Sequence, residues 1–108
     1  MEKARSKFNE REKSFENKFV RDEELQFKVN AKRNKYLGEW AAEKLGKSDI
    51  DKEAYVQEVI KSDFVEPGDE DVFRKIQSDF KQASISTPDS EIREQMISLL
   101  ERAKKDFL

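Results

Sequence analysis

The stretch RDEELQFKVNAKRNKYLGEWAAEKL, residues 21–45, contains no proline and a single glycine, Gly38. Wound at about 100° per residue, it sets Phe27, Ala31, Leu37, Ala41 and Leu45 on one side of a helix. Leu25, Val29, Tyr36 and Trp40 fall on an adjacent side. Together they cover more than half the circumference, wider than the roughly 100° stripe of an ordinary surface helix. Such a helix either runs through the centre of a bundle or keeps one face for a partner.

Beyond this stretch the chain is punctuated by Gly46, Pro67-Gly68 and Pro88. The pieces between them read as helices, since none alternates with period two for long enough to make a strand. Ser48 can cap a helix carrying Ile50, Ala54, Tyr55, Val59, Ile60 and Phe64, with Asp51 completing an imperfect capping box. Asp69 can cap the next, whose stripe is Val72, Phe73, Ile76, Phe80 and Ala83. Glu70 and Asp71 suit the positive end of its dipole. Thr87-Pro88 supplies an N-cap and a first-position proline for the last, with Ile92, Met96, Leu99, Leu100, Ala103 and Phe107 on its apolar face. The fold class expected is all-α: a small four-helix bundle over residues 21–108 with a mobile N-terminal arm over residues 1–20.

Of the 108 residues, 43% are charged and 35% hydrophobic, with a mean hydropathy of -1.00. Leu, Ile, Val and Phe make up about 24% of the chain, above the rough 20% line below which disorder is expected. One small domain is expected, not two. There is no His and no Cys, which excludes His-based acid–base catalysis, Ser-His-Asp triads, Cys nucleophiles, disulfides and His/Cys zinc sites. No uncharged apolar stretch approaches the roughly 18 residues of a membrane span, and the N-terminus lacks an apolar leader core. A soluble, cytoplasmic protein without direct membrane insertion is expected.

Residues 1–24 hold 14 charged residues and no Leu or Ile. Phe8, Phe15 and Phe19 are spaced by seven and four, so their rings align within about 40° on a helix. That face is too narrow and sparse to stabilise a helix in water. The arm is expected to be disordered or a nascent helix, completed in a partner's groove. Residues 1–21 carry seven Lys or Arg against four Glu, a basic arm on an acidic body. Such an arm is steered towards an acidic or phosphate-rich surface. In one competing reading, Phe15 and Phe19 extend the first bundle helix and belong to the core. In another, the arm binds nucleic acid, but its interleaved acids and a pI near 5.4 argue against that.

Gly46-Lys47-Ser48 imitates the end of a P-loop, but Ala41 stands where the first glycine belongs and the context is helical. Gly46 reads better as a helix C′ residue and Ser48 as the next N-cap. Asp49, Asp51 and Glu53 imitate a calcium loop, but Ala54 and Ile60 occupy its Gly and Glu positions. No carboxylate pair stands out as a catalytic dyad, so no catalytic, cofactor or metal residue is assigned.

Several longer strings point further. Phe15-Glu16-Asn17-Lys18-Phe19 is followed by Arg21-Asp22-Glu23-Glu24, Asn34-Lys35, Leu37-Gly38 and Trp40-Ala41-Ala42-Glu43-Lys44-Leu45-Gly46. Gly68-Asp69-Glu70-Asp71-Val72-Phe73-Arg74-Lys75 comes after them. In order and separation these resemble the alphaproteobacterial ATPase inhibitor zeta subunit family, over roughly residues 8–105. The chain departs from the family in having Asn9-Glu10-Arg11-Glu12 after Phe8, where an Asp-Asp-Arg-Glu-like run is usual, and in the extra bases Lys3, Arg5 and Lys7.

The resemblance implies a four-helix bundle with a mobile N-terminal segment that inhibits ATP hydrolysis by the bacterial F-type ATP synthase. The segment becomes helical in a catalytic alpha/beta interface beside the gamma stalk and blocks rotation in the hydrolysis direction. On this reading residues 1–20 are the inhibitory arm. Phe8, Phe15 and Phe19 bury in the partner's groove, and Arg11, Lys18 and Arg21 pair with acidic groups there. The implied partner is the catalytic head of the synthase, its alpha, beta and gamma subunits. The expected protein is a monomer when free, has no cofactor, and sits in the bacterial cytoplasm, peripheral to the inner membrane through the synthase. The rival class is a non-catalytic helical scaffold that binds another protein complex through the same arm.

Overall fold

The computed structural model describes residues 2–65 and 68–108, with side chains from Glu10 onward. Among these residues are five helices and no strand: α1 (Glu2–Arg21), α2 (Glu23–Lys44), α3 (Asp49–Ser62), α4 (Glu70–Gln82) and α5 (Asp89–Lys105). The expected count was four, and Asp22 accounts for the fifth. Its backbone is extended (φ -102°, ψ 103°) and its carboxylate accepts the Leu25 N–H at 3.1 Å. A carboxylate ahead of Glu23 and Glu24 is a favourable N-cap. The bundle helix therefore starts afresh there, and the arm residues wind into a helix of their own.

α2 runs through the middle, against α3 on one side and α5 on the other, and α4 packs on both of those. Val29, Leu37, Ala41 and Ala42 are fully buried. Two packed faces explain the breadth of its apolar surface. Gly38 lets α3 approach: a Cβ there would stand 3.0 Å from the Val56 Cα. Phe27 escapes the core and stacks on Phe64, ring centroids 5.6 Å apart, both rings largely exposed. Arg33 and Asn34 are buried side by side, the Arg33 Nε donating to Asn34 Oδ1 at 2.6 Å. Burial pulls the Arg33 guanidinium below its usual pKa, with Asp63 and Asp69 opposing that shift.

The core joins Leu37, Ala41, Ala42, Tyr55, Val59, Val72, Phe73, Ile76, Phe80, Ile92 and Met96. All come from α2–α5. On α4 the expected stripe is buried from Val72 to Phe80, while Ala83 caps the helix and is exposed. On α3 the inward residues are Tyr55, Val56 and Val59, and Ile50, Ala54 and Phe64 are exposed. Ile50 lies half a turn round the helix from Val59 at about 100° per residue, and Phe64 follows the last turn.

Ser48 and Asp69 precede their helices as expected, but neither side chain caps. Ser48 Oγ donates to Asp51 Oδ2 at 3.3 Å, and Asp69 turns to Arg33 at 3.6 Å. α5 starts one residue later than expected, with Pro88 as its N-cap. Gly46 ends α2 with φ 71°, and the Lys47 N–H donates to the Ala42 carbonyl at 3.1 Å. Ser84 makes the same left-handed turn after α4 (φ 58°), and the Ile85 N–H donates to the Phe80 carbonyl at 2.8 Å. Both are Schellman-type ends.

Candidate partner-binding site

Acidic groups gather at the N-terminus of α2 and basic groups at the C-terminus of α1, so the break at Asp22 is electrostatically favourable on both sides. Lys18 and Arg21 occupy the last turn of α1. The Asp22 N–H donates to the Lys18 carbonyl at 2.8 Å. Gln26 reaches back one turn, its Nε2 donating to the Phe19 carbonyl at 2.8 Å and the Val20 carbonyl at 3.0 Å. These carbonyls belong to the last turn of α1 and have no partner within their own helix. At this joint the arm is coupled to α2 through one extended residue and one side-chain clasp.

Phe15 and Phe19 come together, their rings stacked with centroids 6.4 Å apart. Both are half-buried, neither in the core nor free. They lean on the end of α5. Lys104 Nζ lies 4.7 Å from the Phe19 ring centroid and 3.2 Å from Glu16 Oε1. Glu12, Phe15 and Glu16 face Glu101, Lys105 and Leu108 across a cleft of about 230 Å³. Arg11, Lys18 and Arg21 are exposed to solvent. At about 100° per residue, Arg11 and Lys18 flank the Phe15 face rather than lying under it. The Phe8 side chain lies outside the described residues.

The arm therefore presents two stacked rings beside a row of cations, a surface suited to an apolar groove with an acidic rim. Among the described residues no group of His, Cys, Asp or Glu is placed to hold a metal ion. No helix among them is long and apolar enough to cross a membrane.

Sequence reasoning missed Gln26, Glu16 and Lys104 as parts of this region. Asp22 was legible in principle, as an acid ahead of two more acids and an apolar residue. Nothing in the sequence pairs Glu16 with Lys104, 88 residues away.

A family model described as ATPase inhibitor subunit zeta matches residues 5–106. No curated protein matches. A solved structure, titled only as a solution NMR structure, is similar over 77% of this chain and 94% of its own, with 43% identity and a TM-score of 0.68.

Proposed function

Because the chain belongs to the ATPase inhibitor subunit zeta family, we propose that it inhibits ATP hydrolysis by the bacterial F-type ATP synthase, with α1 as the inhibitory element. The observation that carries this reading is the family match, which takes in most of the arm as well as the bundle. The core draws nothing from α1 among the described residues, so the arm can leave the bundle without opening that core. In the proposed complex the arm enters a catalytic alpha/beta interface beside the gamma stalk and obstructs rotation in the hydrolysis direction. Phe8, Phe15 and Phe19 fill the apolar part of that interface. Arg11, Lys18 and Arg21 meet its acidic groups. The bundle stays outside as a stop that keeps the arm from being drawn through.

Burying three Phe rings contributes roughly 4.5–9 kcal/mol before any ordering cost, and micromolar binding needs about 8 kcal/mol. The rings alone are marginal, so the cations and the α2 end of the arm must add to them. Removing residues 1–20 tests the assignment. The remaining bundle should keep its helical circular dichroism and lose inhibition of the synthase's ATPase activity. Inhibition that survives the truncation would sink the arm as the working element.

A further inference from the structure

Phe15 and Phe19, two of the rings assigned to the partner, lie in this conformation against the chain's own C-terminal helix. Lys104 makes the contact. Its ammonium lies 3.2 Å from Glu16 on α1, 3.5 Å from Glu101 on α5, and 4.7 Å from the Phe19 ring centroid. Its side chain is only 14% exposed, unusual cover for a lysine. The last turn of a helix accommodates a cation in open solvent, so the helix end alone does not explain the burial. The arm does: its Phe19 ring takes the ammonium on its face and Glu16 supplies the opposite charge.

This contact and the partner compete for one surface. Phe15 and Phe19 cannot lie on α5 and in a partner's groove at once. The contact is also built to open. Glu101 stays beside Lys104 when Glu16 leaves, so release does not strand a buried charge. Asp22 is a single extended residue between two helices, and a turn at one such residue re-aims the whole of α1.

We propose that the C-terminal turn of α5, through Lys104, is an intramolecular latch that stores the arm and lowers the fraction available to the partner. The proposal rests on the reading of the arm as the inhibitory element. A partner that binds only the released arm sees its apparent affinity reduced by the released fraction. Weakening the latch therefore strengthens inhibition.

The test uses the full chain with Lys104→Met, which keeps the stem packed on the arm and removes the charge. In the free protein, backbone amides of residues 10–21 should exchange with solvent about three- to tenfold faster than in the parent chain, and inhibition should set in faster by a similar factor. The charge swap Glu16→Lys with Lys104→Glu should restore both towards the parent values. Unchanged amide exchange in Lys104→Met, or slower or unchanged onset of inhibition, would overturn the latch. The exchange measurement needs no synthase, so it fails or succeeds independently of the proposed function. A melting temperature close to the parent's confirms that the variant is folded.

Discussion

Position 38 carries the one glycine that lies inside a bundle helix. In a solvent-facing helix, alanine there would be better by about 1 kcal/mol, since glycine loses more backbone freedom on folding. Here the added methyl would meet the Val56 Cα at 3.0 Å, Val56 Cγ2 at 3.3 Å and Val59 Cβ at 3.4 Å. The nearest of these atoms is backbone, so the clash is relieved only by parting α2 from α3. Overpacking of this kind costs about 1–3 kcal/mol. Gly38→Ala should therefore lower stability by roughly 1 kcal/mol net, the propensity gain notwithstanding. Thermal unfolding reads this as a fall of about 4–8 °C in Tm. A rise in Tm would mean that the two helices separate without cost.

Between elements, charge pairs add to the contacts of the apolar core. Arg93 on α5 holds Glu70 at the start of α4 with two hydrogen bonds, of 2.9 and 3.0 Å, while its guanidinium lies 3.7 Å from the centroid of the Phe73 ring. The hydrogen bonds from Arg93 hold the Glu70 carboxyl below its ordinary value, with its charge adding to the effect. A folded-state pKa below the unfolded one gives stability that is complete above the unfolded value of about 4.3 and disappears as pH falls through the folded value. Glu70→Gln should thus be less stable than the parent chain near neutral pH, and the gap should narrow in acid, as pH falls below the unfolded value. Urea midpoints at neutral and acid pH decide this, and a gap that persists in acid would assign the contribution to packing. Legibility also differs from element to element. α4 was readable because its apolar residues return every three or four positions and nearly all of them turn inward. α3 was less so because Ile50 and Phe64, apolar by type, lie beyond the face that Tyr55, Val56 and Val59 bury. The arm's two central rings were visible as a spacing of four. Their resting place was not, since Lys104 meets Glu16 only after four helices have packed.

The whole molecule measures 51 × 29 × 26 Å, longer in one direction than four short helices require. A 20-residue helix such as α1 spans about 30 Å. It meets the rest of the chain at the Asp22 joint and at the end of α5. Stability and inhibition should therefore separate cleanly by residue. Phe80 is 2% exposed, sits in the core and meets Trp40 edge-on at 5.7 Å. Phe80→Ala should cost about 3–5 kcal/mol of stability while a chain that remains folded keeps its inhibitory surface. Phe15 stands outside that core on α1, stacked on Phe19 at the cleft between α1 and the end of α5. Phe15→Ala should leave Tm nearly unchanged. If the ring is buried by the synthase, its removal forfeits about 1.5–3 kcal/mol of binding, which weakens inhibition by about 10- to 100-fold. Melting curves and ATPase assays on the two variants make a two-by-two comparison. The division into arm and bundle predicts one large effect in each column, on opposite variants. A large Tm loss for Phe15→Ala would show instead that α1 is part of the folding unit, and that the acidic break at Asp22 bends one continuous structure rather than separating two.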